Sequence, residues 1–325
     1  MKTTHEFSRR DFLHTAAGLA LATGLSGGCA APRGAQQQKP LLVSCRDAHL
    51  KATAQPDCWA ALKFLGIGGV EVSVTPDLLC PGLFHQEKKY SLATAAGLKE
   101  LSADLTAHGV TISAFCMSNR FDERLEEEVA WMRKLAPVAQ DMGVKAIRID
   151  VATHKTPVEK FLPIAITACK AVSEVVAGRP VCLGIENHSR FTNDPAMLDA
   201  IFAAVGSSQL GLTLDALNFY WYGWPLKDLY GFYEKFAPRV FHTHCKSIRY
   251  PAEQRNIRRA MGWEYGKYAA PIYEGDIDYR RVVAILRKAN YQGDLCLENE
   301  CLKHFPPAEQ PGVLQKEIAL LKRLA

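Results

Sequence analysis

The sequence predicts a single-domain α/β protein, a closed (β/α)8 barrel (TIM barrel) that spans residues 40–325. Short runs rich in β-branched residues alternate eight times with segments of helical periodicity, and Gly or Pro separates most of them. Such alternation is typical of a parallel sheet with helical crossovers. Eight units favour closure, and 325 residues, 48% of them hydrophobic, suffice for one such domain.

The predicted strands are short and apolar, and turn residues bound them. In chain order they are Leu41–Cys45, Val70–Val74, Val110–Phe115, Val144–Asp150, Val181–Glu186, Leu210–Asp215, Val240–His244 and Asp294–Glu298. The predicted helices are Trp59–Leu65, Thr94–His108, Glu123–Met142, Pro157–Ala177, one that Asp194-Pro195 opens, Leu226–Phe236, Asp278–Ala289 and Gly312–Leu324. A doubly wound open sheet is the alternative, but Ser44–Asp47 lacks the Gly-rich turn that usually follows its first strand.

Residues 1–39 are predicted to be an export signal and tether rather than part of the fold. Arg9-Arg10 and Phe12-Leu13 precede an apolar stretch, residues 15–25, that is too short to span a bilayer. This pattern resembles a twin-arginine signal, which implies export of a folded protein to the periplasm or cell envelope. Cys29 ends a near match to a lipoprotein cleavage box, so lipid attachment there and plain cleavage both remain open.

The net charge argues against a nucleic-acid-binding protein, and the cysteine spacing argues against a disulfide-framework protein. The net charge of +5 is weak and shows no clustered basic face, so a nucleic-acid partner is not expected. The ten cysteines have no disulfide-framework spacing, and several stand in apolar runs, where a free cysteine behaves as a small hydrophobe. Neither feature predicts an oligomeric state.

Ionisable residues end the last four predicted strands. They are Glu186, Asp215, His244 and Glu298. The carboxyl ends of the strands form the functional face of a barrel. The residues two positions earlier share the inward parity and carry no fixed charge; they are Gly184, Thr213, His242 and Cys296. The alternation therefore places the four ionisable groups inside the barrel mouth.

Three carboxylates cannot stay ionised together in such a mouth without a counter-charge, because like charges and burial both raise their pKa values. A divalent cation supplies that charge, and three oxygens with one imidazole suit Mn²⁺, Mg²⁺, Co²⁺ or, less typically, Zn²⁺. Separate rim residues paired with Arg or Lys are the alternative. His242 shares the parity of His244, but His244 stands nearer the mouth.

From about Leu41 to its end, the chain resembles the xylose isomerase-like barrels, in particular the sugar phosphate isomerase/epimerase group. The matching pieces are Glu186-Asn187-His188, Asp215 with Asn218, His244 with Lys246, and Tyr291-x-Gly293 before Glu298. The resemblance implies one metal held by Glu186, Asp215, His244 and Glu298. Ser247 and Tyr273 replace an Asp and a Gly that are usual in the group, and these departures predict a change of substrate.

The resemblance implies an isomerase or epimerase that acts on a sugar or sugar-like substrate. A metal-polarised carbonyl would acidify the neighbouring C–H, and Glu186 and Glu298 would take and return the proton. Lys246 would stabilise an enolate oxygen, or would simply extend to the rim. Because sugar phosphates are cytoplasmic intermediates, export favours a free sugar, a cyclitol or an oxidised glycoside.

Two other functions stay open: a 3-keto-glycoside lyase or hydrolase that uses the same metal, and a non-catalytic sugar-binding protein. An apurinic-site endonuclease is disfavoured, because its three-metal site needs His residues from early strands that this chain does not offer. The residues predicted to contact the substrate are His188, Arg148, Trp221, Asn218 and Arg249. For Arg148 an ion pair with Asp150 is favoured. The loop Arg249–Tyr268 is predicted to be a lid, with a solvated basic loop as the alternative.

Overall fold

Eight parallel strands close into a barrel in the computed structural model of the chain, which describes residues 39–152 and 156–325. The predicted twin-arginine signal and Cys29 lie outside the described residues. The strands are β1 (Leu42–Arg46), β2 (Gly69–Ser73), β3 (Thr111–Cys116), β4 (Ala146–Ile149), β5 (Cys182–Glu186), β6 (Leu210–Asp215), β7 (Val240–Cys245) and β8 (Asp294–Leu297). Each strand pairs with its neighbours in the chain, and β8 pairs with β1.

Eight helices alternate with these strands on the outside of the barrel. They are α1 (Cys58–Leu65), α2 (Ala95–His108), α3 (Phe121–Asp141), α4 (Val158–Val176), α5 (Pro195–Val205), α6 (Leu226–Phe236), α7 (Tyr279–Lys288) and α8 (Gln310–Leu324). Local signals set several of the starts, since the side chains of Asp57, Thr94, Asp194 and Asp278 cap helix N-termini. The single-domain barrel that the sequence predicts is therefore confirmed.

The register of the strands brings their carboxyl ends to one level. Asp215 stands beside His244, and His244 stands beside Cys296, two residues before Glu298. The side chains between the strands and the helices are apolar and almost fully buried, as at Ile185 and Leu214. Because strand side chains alternate in direction, packing these residues outward turns their charged neighbours into the barrel.

Close contact between β5 and β6 depends on a glycine. A Cβ atom at Gly184 would lie 2.4 Å from Thr213 Oγ1 and 2.9 Å from the Thr213 backbone nitrogen. Any side chain here would push the two strands apart. The absence of a side chain therefore keeps Glu186 and Asp215 on neighbouring strands at close range.

The structure differs from the sequence prediction mainly at element ends. Strand β4 covers Ala146–Ile149 and is shorter than the predicted Val144–Asp150. The small elements that were not predicted include the helix Asn218–Trp221 and an antiparallel pair formed by Ser247–Ile248 and Ala269–Ala270. All nine cysteines among the described residues are free. Within the same ranges, every helix lacks the combination of length and apolar character that crossing a bilayer demands.

Candidate metal centre

Four ionisable side chains from the ends of β5, β6, β7 and β8 converge inside the barrel mouth. They are Glu186, Asp215, His244 and Glu298, and one candidate ligand atom from each lies within 4.8 Å of all the others. All four residues are buried. The structure thus brings together the residues that the sequence predicts as ligands, and it places His244 rather than His242 among them.

The carboxylate of Asp215 is anchored on one side only. Its Oδ1 accepts hydrogen bonds from the backbone N–H groups of Leu217 and Asn218, both at 2.8 Å. Its Oδ2 faces the cluster and accepts no hydrogen bond from any residue that the structure describes. Lys246 Nζ lies 2.9 Å from this oxygen, but without hydrogen-bond geometry. One oxygen therefore fixes the side chain, and the other is left for a further partner.

Glu298 shows the same division. Its Oε1 accepts a hydrogen bond from Arg46 Nη1. Its Oε2 lies 3.0 Å from Lys246 Nζ and 3.2 Å from His244 Nδ1, yet it accepts no hydrogen bond within the described part of the chain. Buried acceptors without donors are uncommon in native proteins and call for an explanation such as a bound ion.

The imidazole of His244 joins the cluster to a fourth carboxylate. Nδ1 lies 2.9 Å from Glu186 Oε1, and Nε2 lies 2.9 Å from Glu71 Oε2. Burial lowers the pKa of His244, but the charges of Glu71, Glu298 and Glu186 outweigh it, and the pKa lies well above its ordinary value. The two ring nitrogens thus face different partners, and Nδ1 is the one that points at the other candidate ligands.

Cationic side chains surround the carboxylates but do not balance them. Arg148 donates two hydrogen bonds to Glu186 Oε2, one of them at 2.8 Å from Nε. Burial raises the pKa of Glu186, but Arg148 and His244 outweigh burial and hold that pKa well below its usual range. Burial raises the pKa of Asp215 to about 7, in spite of the attraction of Lys246.

A divalent cation fits this arrangement. Among the described residues, four buried carboxylates, including Glu71, face three permanently cationic side chains, those of Arg46, Arg148 and Lys246, so the fourth positive charge must come from protonated His244 or from a metal ion in place of its proton. The free oxygens of Asp215 and Glu298 point into the same space. Carboxylate oxygens with one imidazole nitrogen form a donor set that Mn²⁺, Mg²⁺, Co²⁺ and Zn²⁺ accept.

The comparison with known families agrees with this geometry. The family model described as xylose isomerase-like TIM barrel matches residues 59–324, which is most of the chain. The chain belongs to the xylose isomerase-like TIM barrel family. No curated protein is significantly similar to it in sequence.

Several solved structures share the fold at low sequence identity. The IolI protein with a bound zinc atom aligns with a TM-score of 0.63 and 15% identity, over 88% of this chain and 99% of that chain. A xylose isomerase-like TIM barrel protein from Mycobacterium smegmatis, in complex with magnesium, aligns with a TM-score of 0.61 and 15% identity, over 87% of this chain and 96% of that chain. The 3-keto-D-glucoside 4-epimerase YcjR from E. coli aligns with a TM-score of 0.60 and 13% identity, over 87% of this chain and 99% of that chain.

Two charged residues, Arg46 and Glu71, contact the site although the sequence analysis did not predict them there. Arg46 ends β1 and contacts both Glu298 and Glu71, the latter at 3.2 Å. Glu71 stands in the middle of β2 and is fully buried. The same inward-parity test, applied to β1 and β2 as it was to β5–β8, is the signal that would have found both.

Arg148 has a second carboxylate partner, Glu186, in addition to the Asp150 favoured on the sequence. Its guanidinium bonds to Glu186 and, at 2.9 Å, to the carbonyl oxygen of Met117. The carboxylate of Asp150 lies 3.7 Å away and is instead 3.2 Å from His188 Nδ1. The predicted ion pair with Asp150 is therefore present, but it is the longer contact, and the hydrogen bonds of the guanidinium go to Glu186 and Met117.

The other predicted substrate contacts lie at different depths. Asn218 is buried beside Asp215, and its side-chain nitrogen has no hydrogen-bond partner among the described residues. His188 and Arg249 are exposed, and Trp221 is half-buried against Gly262 of the loop Arg249–Tyr268.

The loop that follows β7 packs on the barrel through one arginine. Arg259 is buried; its guanidinium lies over the rings of Tyr220 and Tyr250 and donates to the carbonyl oxygens of Tyr220 and Trp224. From the end of the loop, the Tyr265 hydroxyl donates to Glu300, which also accepts from Lys246 at 2.8 Å. The loop is therefore tied to the candidate metal centre through Lys246.

Proposed function

We propose that this family member is a metal-dependent isomerase or epimerase that acts on a sugar or sugar-like substrate. The observation that carries the proposal is the convergence of Glu186, Asp215, His244 and Glu298 with two buried oxygens that lack hydrogen-bond donors in the described chain. The relatives support it. One is described as a sugar epimerase, and two others contain zinc or magnesium.

The four converging residues would hold one divalent ion, whose identity among Mn²⁺, Mg²⁺, Co²⁺ and Zn²⁺ stays open. When bound, such an ion polarises a substrate carbonyl and lowers the pKa of the adjoining C–H. The chain supplies the groups that handle the resulting proton and charge. They lie within the same buried cluster.

Glu186 and Glu298 are the proposed acid–base pair. They approach His244 Nδ1 at 2.9 and 3.2 Å, and each carries its own arginine, Arg148 for Glu186 and Arg46 for Glu298. The arginines keep both carboxylates ionised and fix their direction. Either ionised glutamate can then accept the proton from the substrate, and the glutamate that has become protonated can return it to carbon or oxygen.

Lys246 is placed to stabilise negative charge on a substrate oxygen. Its ammonium group is buried within 3.0 Å of Asp215 and Glu298, so it is held at the edge of the proposed metal site. A preorganised cation of this kind lowers the energy of a developing oxyanion. Substrate contacts by His188, Arg148, Trp221, Asn218 and Arg249 remain part of the proposal.

A keto-glycoside is the second candidate substrate. The relative YcjR is described as a 3-keto-D-glucoside 4-epimerase, which favours substrates that already carry a ring ketone. A lyase or hydrolase acting on 3-keto-glycosides would use the same metal and proton abstraction, but would expel the aglycone. Ser247 and Tyr273, which depart from the usual residues of the group, are consistent with such a change of substrate.

We also propose that residues 1–39 direct export and that residues 40–325 act as the enzyme in the periplasm or at the cell envelope. The Arg9-Arg10 pair ahead of a short apolar stretch supports export by the twin-arginine route. Replacing both arginines by lysine should retain the protein in the cytoplasm. Radiolabelled fatty acid, retained by the wild type and absent from Cys29→Ala, would establish lipid attachment.

Deuterium exchange is the experiment that tests the catalytic proposal. Zinc-, magnesium- and manganese-loaded protein would be incubated in D₂O with keto-sugars and 3-keto-glucosides and followed by NMR. Epimerisation or isomerisation predicts deuterium at the carbon next to the carbonyl without release of an aglycone. Aglycone release would assign the lyase reaction instead. Tight sugar binding without exchange by any loaded form would contradict both and leave a binding protein.

A further inference from the structure

Glu71 is a buried carboxylate for which the proposed reaction has no role. It projects from β2 into the barrel and is fully buried. Its Oε2 lies 2.9 Å from His244 Nε2 and 3.2 Å from Arg46 Nε, and the thiol of Cys296 lies 3.7 Å away. Three side chains from three different strands thus converge on one oxygen atom.

The two nitrogens of His244 face opposite environments. Nδ1 is directed at the proposed ligands Glu186 and Glu298, at 2.9 and 3.2 Å. Nε2 is directed away from them, at Glu71. A neutral imidazole has one N–H and one lone pair, and only the nitrogen that carries the lone pair can bind a metal.

Glu71 can decide which nitrogen that is. A carboxylate accepts hydrogen bonds and does not donate them, so it favours the tautomer with the proton on Nε2. That tautomer leaves the lone pair on Nδ1, where the other proposed ligands are. Carboxylates that accept from the second nitrogen of a metal-binding histidine fix its tautomer and orientation, and their loss typically costs about 10–100-fold in metal affinity.

Arg46 favours the carboxylate form of Glu71, which is the form that accepts the hydrogen bond from His244. The arginine contacts Glu71 through Nε and Glu298 through Nη1. One guanidinium therefore joins the carboxylate behind His244 to a proposed ligand in front of it. His242 cannot replace His244 in this arrangement, because its Nδ1 is taken by Asp294 at 2.6 Å.

We propose that Glu71 is a positioning residue, which holds the proton of His244 on Nε2 and so presents Nδ1 to the metal. The inference rests on the metal site of the proposed function and adds to it a residue from β2. The competing view is that Glu71 only neutralises Arg46. The two views differ in what they predict for metal affinity and for the protonation of His244.

The test compares Zn²⁺ affinity in wild-type protein, Glu71→Gln and a matched control, measured by titration against a chelator. Glu71→Gln keeps the shape but removes the charge, and a drop in affinity of about 10–100-fold is expected. The control is Glu128→Gln. Glu128 is also buried and bonded to an asparagine and an arginine, Asn119 and Arg124, but it lies on α3 and contacts none of the proposed ligands.

The outcomes separate this inference from the proposed function. A wild-type protein that binds no divalent ion would overturn the function, and the inference with it. Wild-type and Glu71→Gln proteins that bind Zn²⁺ equally well would overturn the inference alone. Weaker binding by Glu71→Gln but not by Glu128→Gln supports it, provided that thermal unfolding shows both variants to be folded.

A second measurement needs no variant at Glu71 and so does not depend on its folding. Zinc-loaded protein with ¹⁵N-labelled histidine should show a proton on Nε2 of His244 and none on Nδ1, with His244→Gln used to assign the signal. A proton on Nδ1, or zinc bound through Nε2, would contradict the positioning role. If Glu71 only neutralised Arg46, it would not be expected to fix the tautomer of His244.

Discussion

Two layers of ionisable groups lie inside the barrel, and both combine histidine with carboxylate. The upper layer consists of Glu186, Asp215, His244 and Glu298. The lower layer consists of Ser44, His242 and Asp294. In the lower layer Asp294 is satisfied on both oxygens, by the Ser44 hydroxyl and by His242 Nδ1 at 2.6 Å. In the upper layer, Asp215 Oδ2 and Glu298 Oε2 accept no hydrogen bond from the described residues.

The difference shows that residue types alone do not identify a metal site. His242 and His244 are two residues apart on β7, share their direction and are equally buried. What distinguishes them is that Asp294, hydrogen-bonded to His242, has donors on both oxygens, whereas Asp215 and Glu298 beside His244 each keep one oxygen without a donor among the described residues. A buried acceptor that its neighbours leave unsatisfied carries a large desolvation cost, which a cation offsets. The upper layer is therefore the proposed metal centre.

The largest effect is expected when the proposed acid–base pair of the upper layer loses its charge. Glu186→Gln and Glu298→Gln should each lower the rate of substrate deuterium exchange by about 10²–10⁴-fold, since general acid–base groups contribute that much. The rate would be measured under saturating metal, with Glu128→Gln as the control. Full activity in either variant would show that the upper layer does not transfer the proton.

The next effect concerns the charge balance of the upper layer. Arg148 donates to Glu186, and both residues are buried. Arg148→Met leaves Glu186 without its main partner. Removal of one member of a buried ion pair typically costs about 3–5 kcal/mol, so the metal-free variant should unfold at markedly lower urea concentration. A loss below about 1 kcal/mol, the level of an exposed pair, would contradict the stated role of Arg148.

The two histidines provide the sharpest comparison between the layers. His244→Gln should weaken metal binding by about 100-fold or more, because loss of an outer partner alone costs about 10–100-fold. His242→Gln should leave metal affinity nearly unchanged and lower the free energy of unfolding by about 1–3 kcal/mol, because Asp294 loses its buried donor. Metal titration and urea unfolding of both variants measure the two effects. Equal loss of metal affinity would remove the distinction between the layers.

The smallest effect is expected in the pH dependence of the free energy of unfolding, and it comes from Glu317, a buried carboxyl group outside both layers. Glu317 accepts hydrogen bonds from Ile272 N and Asn299 Nδ2, and burial raises its pKa from 4.5 to about 7. A raised carboxyl pKa means that the folded protein binds this proton more tightly than the unfolded chain. The stabilisation is present at acid pH and is lost as the pH rises towards 7.

Glu317→Gln cannot titrate and does not lose this stabilisation. Its free energy of unfolding should therefore rise relative to the wild type by about 1–3 kcal/mol between roughly pH 5 and pH 8. Urea unfolding at several pH values measures the difference. A difference that is independent of pH would show that Glu317 is already ionised throughout this range.

The order of elements and the upper layer could be predicted because both follow from short-range patterns. Gly and Pro mark the turns, and strand alternation decides which side chains point inward. Asp215 ends an apolar strand and Glu298 directly follows one, so their place at the mouth follows from the barrel itself.

The partners of these residues could not be predicted in the same way. Glu71 meets His244 at 2.9 Å, although 173 positions separate them in the chain. The side chain of Arg148 reaches both Asp150 and Glu186, and only the closed barrel shows that its hydrogen bonds go to Glu186. Long side chains allow several partners, and the spacing between strands that are not neighbours is set by closure rather than by local sequence.

Metal content of the purified protein tests the central claim most directly. The account predicts one divalent ion per chain by elemental analysis, removable by a chelator and restored by titration. It also predicts that Asp215→Asn, which keeps the shape of the upper layer but not its charge, holds much less than one ion while remaining folded. Wild-type protein that takes up no ion, or Asp215→Asn that holds a full equivalent with unchanged affinity, would contradict the account.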